Sequence, residues 1–376
     1  MASSTPDVII IGAGIIGAAC AAALCQRGAD VLVLEAGVIA GGATAAGMGH
    51  LVVMDDNPAE LALSQWSCQL WRDWVESAPA AHEYSACGTL WVAQDDEELA
   101  AARSKQATLA AHGITSHVLD AQALYQAEAQ LAPGLAGGLL VPADALVYPP
   151  KSSTLLLKQA QNTGRMRFQA AQVVKVSSCS VSLADGSQLQ AGLVLVANGM
   201  GAAALLPELP LRAKKGHIAI TDRYPGFVRH QLVELGYIKS AHASDGDSVA
   251  FNIQARPTGQ MMIGSSRQYD QSSAQLDPQI LRKMLARACQ FLPNLPQLNL
   301  IRCWTGVRCA SPDGLPLLGP HPYLPGIWLA CGHEGLGITT ALASAELIAD
   351  LYAGRTSKIA LEPYLANRFP HLQQAA

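Results

Sequence analysis

Half of the 376 residues are hydrophobic, only 14% are charged and 33 are glycine. That length exceeds what one compact core usually serves, so two domains are expected, and the composition excludes a disordered chain. With 25 basic against 29 acidic residues and no long run of either sign, the formal net charge is −4, and the basic stripe of a nucleic-acid binder is missing.

The nine cysteines, at 20, 25, 68, 87, 179, 289, 303, 309 and 331, form no CxxC pair and share no zinc-like spacing with histidine. Reduced thiols in a cytoplasmic protein are expected, with no metal and no disulfide framework. Residues 8–24 are apolar almost throughout, but they lack a basic leading segment and are broken by Gly12, Gly14 and Gly17, which argues against a signal peptide. No other stretch approaches the roughly 20 apolar residues of a membrane span.

Residues 7–11 (Asp-Val-Ile-Ile-Ile) read as a buried parallel strand, short and β-branched without alternation. Gly12-Ala13-Gly14-Ile15-Ile16-Gly17 follows at once, then a helix predicted over 18–27 and stopped by Gly28, then a second strand at 31–34 closed by Glu35. GxGxxG between strand and helix, with an acid 18 residues after Gly17, is the full context of a dinucleotide fingerprint. Gly12 permits the tight turn, Gly14 lets backbone approach a pyrophosphate, and Gly17 lets helix and strand pack closely. The phosphates would rest on the positive helix end and Glu35 would accept from ribose hydroxyls. FAD and NAD are not distinguished by these residues.

A second small-residue loop begins after Glu35 and Ala36 and runs through Gly42-Ala43-Thr44 to Gly47-Met48-Gly49-His50. Here the sequence resembles the FAD-dependent D-amino acid oxidase superfamily, which includes glycine oxidase, sarcosine oxidase and D-amino acid dehydrogenases. The resemblance implies that this loop runs past the pyrophosphate to the flavin ring, with backbone replacing the side chains that other members use on phosphate. It implies an α/β fold, a Rossmann-type FAD-binding domain interleaved with an antiparallel-sheet α+β substrate domain. The FAD domain is expected over 1–80, 141–210 and 301–376, and the substrate domain over 81–140 and 211–300.

Farther along, helices are predicted over 66–77, 95–112, 120–131 and 152–161, the last with serine caps. A strand at 88–93 and a strand pair formed by 137–142 and 145–150 are expected, and Asp185-Gly186 signals a hairpin joining 173–181 to 189–196. Residues 193–196, ending at Ala197-Asn198-Gly199, read as a buried strand that resembles the family's return to the FAD domain, and 212–300 reads as antiparallel. Val173 and Val174 join the expected cofactor contacts.

The most specific stretch is W-T-G-V-R-C-A-S-P-D-G-L-P-L-L-G at 304–319. It resembles the family's W-x-G-x-R motif, in which the arginine, here Arg308, reaches the substrate carboxylate; a planar, permanently charged fork suits that task. Sarcosine oxidases attach FAD to a cysteine whose place here falls on Gly306, so noncovalent FAD is implied. Gly332-His333-Glu334-Gly335-Leu336-Gly337-Ile338-Thr339 resembles the closing family motif, which would bring a helix N-terminus to the flavin.

The implied reaction is oxidation of the CH–NH bond of a D-amino or imino acid by hydride transfer to the flavin, with O2 or a quinone as electron acceptor. Arg308, Tyr148, Tyr237 and His50 are the candidate substrate-side residues. The D-proline or D-hydroxyproline type is favoured through Val147-Tyr148-Pro149-Pro150 and 251–264. The alternatives are glycine or sarcosine oxidase activity and the FAD subunit of a heteromeric amino-acid dehydrogenase. Homo- or hetero-oligomeric assembly and peripheral membrane contact are left open; nucleic acid is excluded as a partner.

Overall fold

The computed structural model describes residues 5–236 and 246–372. Its first sheet has six strands in the order Leu317–Pro320, Ile327–Cys331, Leu193–Val196, Val8–Ile11, Val31–Glu35, Met166–Ala170. All pair in parallel except the first with the second. The central strands Val8–Ile11 and Leu193–Val196 are buried throughout, as their unbroken apolar runs require when both faces are covered. The helix Ile15–Gln26 packs against Pro149–Asn162 and Gly337–Tyr352, which explains why it is apolar on nearly every side.

The second sheet has eight strands in the order Leu300–Ala310, Arg212–Arg223, Gln260–Tyr269, Ser248–Ala255, Gln231–Glu234, Thr89–Ala93, Gly137–Val141, His117–Asp120. It is antiparallel except for Gln231–Glu234, which runs parallel to Thr89–Ala93. The sheet extends past residue 300, where the sequence suggested a return to the first domain, because Leu300–Ala310 pairs along nearly the whole of Arg212–Arg223.

Other boundaries also move. Gly137–Val141 does not pair with 145–150: it lies between Thr89–Ala93 and His117–Asp120, while Ala145–Leu146 pairs with His50–Leu51. Local prolines mark strand ends but carry no information about partners. The predicted 173–196 hairpin is a three-stranded meander, Val173–Ser177, Ser180–Leu183 and Gln188–Gln190, with Leu193–Val196 separate in the six-stranded sheet. The helix expected from Ser152 starts at Pro149, since proline suits a first helical position, and Ser152 and Ser153 are buried within it instead of capping it. The helix predicted over 66–77 spans Pro58–Val75, capped by Asn57, whose side chain accepts from Glu60 N at 2.9 Å.

Candidate active site

The nucleotide end is built from close approaches that only glycine allows. A Cβ on Gly17 would lie 2.0 Å from the carbonyl oxygen of Gly12, and one on Gly12, whose φ is +104°, would lie 2.8 Å from Ala197 O and from Asn198 Cα. Helix, turn and the Leu193–Val196 strand are thereby pressed together, as a dinucleotide turn requires. Gly14 precedes the first helical residue, and Ile15 N donates to Thr44 Oγ1 at 3.0 Å, so the second loop is tied to the helix start.

Glu35 accepts from Ala13 N at 2.7 Å and from Gly37 N at 2.8 Å, which fixes its carboxylate at the strand end. Two N–H groups near the helix start, those of Ala13 and Ile15, are therefore already engaged, leaving the first-turn groups beyond them for a phosphate. Asn198 Oδ1 is buried without a partner and Gly199 has φ +57°. Ala36 and Gly42 are exposed and Ile16 is half-buried. Val173 is half-buried at the start of the meander and Val174 is 51% exposed; Ala171, two residues before the meander, donates its N–H to Glu35 O. These residues fit a dinucleotide with a free adenosine ribose: a glycine cradle, a helix start and a fixed acceptor.

A cavity of about 220 Å³ lies between the second loop and the face of the eight-stranded sheet. Ala43, Gly47, Met48, Gly49 and His50 form one wall, with Gly335, Leu336 and Ile338 beside them. The sheet contributes Gly306, Arg308, Gly216, Arg267, Asn252, Gln231, Val233, Thr89 and Trp91. The loop is gripped: Cβ atoms on Gly47, Gly306 and Gly264 would meet Ile338 Cδ1 at 2.7 Å, Ala46 Cβ at 2.6 Å and Met48 Sδ at 3.0 Å. Thr339 Oγ1 donates to His50 O at 2.8 Å, and Trp71 Nε1 donates to the carbonyls of Ile338 and Thr339, which holds the start of Gly337–Tyr352 against the loop.

Arg308 lies over Gly216, where a Cβ would sit 2.9 Å from its Nη2, and it donates from Nη1 to Ser266 O at 3.2 Å. Glu334 faces it with φ +50°, its carboxylate 2.9 Å from Lys214 Nζ. Burial alone would raise this carboxyl; Arg308, Lys214 and Arg267 override it and bring it down to about 2. Glu334 is thus ionised inside a cationic cluster. Burial lowers His50 to about 4, so its ring is neutral near pH 7, and its Nε2 has no partner. Glu60, on the opposite wall, is pushed up to about 7 by burial and by Asp56.

Not every expected residue reaches the cavity. Tyr148 is absent from its lining; the Arg256 guanidinium stacks 4.5 Å above its ring, while Arg256 also pairs with Glu83. The His333 ring is 6% exposed and bonds Ser344 Oγ at 3.1 Å, a packing role for the side chain, and Gly332 takes the turn at φ +77°. Tyr237 lies outside the described residues. The sequence reading missed Arg267, Gly216, Asn252, Gln231 and Thr89, which carry no spacing signal and meet only through sheet pairing, and Glu60, which the helix Pro58–Val75 brings to the lining. Among the described residues no group of histidine, cysteine, aspartate or glutamate could hold a metal ion, and no helix is long and apolar enough to cross a membrane.

A parallel sheet with a glycine cradle, interleaved in sequence with an antiparallel sheet that floors a charged cavity, defines a dinucleotide-dependent oxidoreductase. The chain belongs to the family of FAD dependent oxidoreductases, whose DAO model matches residues 7–351. It is 28% identical to a glycine oxidase of Pseudomonas putida, over 95% of this chain and 97% of the relative. It is 26% identical to hydrogen cyanide synthase subunit HcnC of Pseudomonas aeruginosa, over 97% and 96%. The fold is shared with the crystal structure of glycine oxidase from Geobacillus kaustophilus (TM-score 0.86, 23% identity, 98% of this chain and 100% of that one). It is also shared with L-proline dehydrogenase from P. horikoshii (TM-score 0.87, 20% identity, 97% and 98%). The enzyme is therefore an FAD-dependent oxidoreductase of amino-acid type.

Proposed function

We propose that the chain oxidises the CH–NH bond of a small D-amino or imino acid, of the D-proline or D-hydroxyproline type, to the imino acid. The observation that carries this reading is Arg308 laid over Gly216, facing the cavity beside the Ala43–His50 loop that would approach the flavin. A carboxylate would dock on its fork, with Lys214 and Arg267 adding attraction and Glu334 offsetting part of the charge. FAD, when bound, would supply the acceptor for the hydride, which carries both electrons of the oxidation, while the amine proton leaves separately. The protein's part is to hold the α-carbon in place and keep water out with Met48, Ile218, Val233 and Leu336. His50 Nε2, a neutral acceptor in the cavity wall, is placed to take a hydrogen bond from the substrate amine. FAD is held without a covalent bond, with Gly306 where a cysteine attachment would stand and the Cys309 thiol buried and raised to about 11; acid precipitation should release the flavin into the supernatant.

The test is Arg308→Ala with anaerobic flavin reduction over a panel of D-amino and imino acids, O2 and a quinone being compared as acceptors. Loss of charged hydrogen bonds should raise the apparent Kd about 100-fold; unchanged affinity refutes the reading. A second reading, that the chain is the FAD subunit of a heteromeric dehydrogenase, is favoured by relatives that are themselves named as subunits, HcnC and an opine oxidase subunit of Agrobacterium tumefaciens. Full dye-reducing turnover by the isolated chain would exclude it.

A further inference from the structure

The strand Arg212–Arg223 lies between Leu300–Ala310, which carries Arg308, and Gln260–Tyr269. Gly216 leaves a gap on the middle strand, and the Arg308 guanidinium crosses it to donate from Nη1 to the main-chain oxygen of Ser266 on the strand beyond, at 3.2 Å. Pairing of the middle strand with Gln260–Tyr269 is irregular at this point. Lys215 lies opposite Gln268 and Ala219 opposite Ile263, so that four steps along one strand are matched by five along the other. A bulge of this kind re-aims the groups it carries. Side chains supply bonds across it: His217 N donates to Ser266 Oγ at 2.9 Å, and the His217 ring meets the same hydroxyl oxygen at 2.9 Å.

The ring is fixed in one tautomer. Asp277 N donates to its Nε2 at 3.0 Å, and that nitrogen can accept only when it carries no proton. Burial and the nearby Lys215 hold the ring below the usual histidine pKa, against the pull of Asp277 and Asp247, so it is neutral and its one N–H is at Nδ1. Nδ1 therefore donates to Ser266 Oγ. Asp277 is in turn held by the helix Pro278–Phe291, where the N–H groups of Gln279 and Ile280 donate to its carboxylate at 2.9 and 3.2 Å. A connected line of bonds runs from this helix start through His217 and Ser266 to the guanidinium. His217 is 0% exposed and Ser266 1%, so bulk water does not compete for these bonds.

From this geometry we infer that His217 and Ser266 are positioning residues for Arg308: the ring, fixed by Asp277 N, holds the Ser266 hydroxyl, and with it the carbonyl on which the guanidinium is aimed into the cavity. The inference rests on the proposed carboxylate site. An arginine fork already ordered loses less side-chain freedom when a carboxylate docks, so the line acts on affinity without touching the ligand.

The test measures binding, not turnover. The holoenzyme is titrated with cyclopentanecarboxylate, which carries no CH–NH bond, and Kd is read from the flavin absorption change. Ser266→Ala removes the shared hydroxyl, His217→Leu removes its ring partner, and His217→Asn keeps an N–H donor in the place of Nδ1. Kd should rise about tenfold in the first two and about threefold or less in His217→Asn. Combined with Arg308→Ala, the same substitutions should change Kd by less than about twofold, because the anchor then has nothing to aim. Ser266→Ala, which deletes one oxygen, decides the question if leucine at 217 prevents folding. Unchanged Kd in Ser266→Ala, equal losses with and without Arg308, or a His217→Asn as weak as His217→Leu overturns the inference and leaves the carboxylate site standing. An Arg308→Ala enzyme that binds the acid as tightly as the wild type overturns both.

Discussion

Replacing Gly17 by alanine tests how far the cofactor cradle depends on close packing. The new Cβ would sit 2.0 Å from Gly12 O and 3.0 Å from Gly12 C, both backbone atoms, where real Cβ contacts are essentially never under 3.0 Å. The start of Ile15–Gln26 must then withdraw by at least about 1 Å, against two helices that pack on it. Overpacking of this kind costs about 2–4 kcal/mol, offset by about 1 kcal/mol of helix propensity. A net loss of about 1–3 kcal/mol lowers Tm by roughly 1–4 °C in a protein of 376 residues. The same shift moves the helix end from its phosphate, so FAD affinity should drop at least tenfold. The assay is a thermal melt of apoprotein together with FAD titration by flavin fluorescence. Gly28→Ala is the control: its φ is +92° but nothing lies within 4 Å, so it should lose about 1 kcal/mol of stability and no FAD affinity. If Gly17→Ala keeps both Tm and FAD affinity, or if Gly28→Ala weakens FAD equally, the packing argument is refuted.

Glu334→Gln removes the carboxylate from the Lys214, Arg267 and Arg308 cluster, so a carboxylate inhibitor should bind about fivefold more tightly, read from the flavin spectrum. Burial holds the folded pKa of His50 near 4 and that of His333 near 3, against 6.5 when exposed; their contribution to stability is full above 6.5 and is lost as pH falls toward those values. Glu60 and Asp144, raised to about 7, pull the whole profile the other way, so the comparison is with a variant: the Tm of the wild type should fall relative to His333→Asn between pH 6.5 and 4.5, and a constant difference would contradict the assignment. Burial pushes Asp144 up to about 7, against hydrogen bonds from Thr89 and Val53 and the weaker pull of Lys105 and Arg72; the facing thiols Cys68 and Cys87 are raised and stay neutral. A carboxyl raised in the folded state favours folding more as it protonates, so the Tm of the wild type should rise relative to Asp144→Asn as pH falls from 8 to 5; a constant difference would contradict the assignment.

The dinucleotide cradle was legible because its parts are local: strand, GxGxxG, helix and acid fall within 29 residues, and each glycine answers a short-range contact. The flanking motif singled out Arg308, which lies in the cavity lining. The opposite wall was not. Gln231, Thr89 and Asp144 come from separate elements, and their chain of hydrogen bonds arises from a parallel strand pair, Gln231 opposite Thr89, that no periodicity announces. The same blindness misassigned Gly137–Val141, whose apolar run says strand but not which neighbour. Tyr148 was expected on a segment edging the cavity, yet it is outside the lining and Arg256 lies over its ring.

The loop over Ala43–Gly49 is clamped at three points by residues of independent origin, Ile338 on a helix and Gly306 and Gly264 on two strands. Such a joint has no slack to absorb drift one residue at a time. A methyl added on one side must be matched by one removed on the other, so Gly47, Gly306 and Gly264 should vary as a linked set with Ile338, Ala46 and Met48. An attempt to widen the cavity for bulkier acids should begin with paired exchanges across these contacts, since single ones would displace a strip of chain that bridges the two sheets.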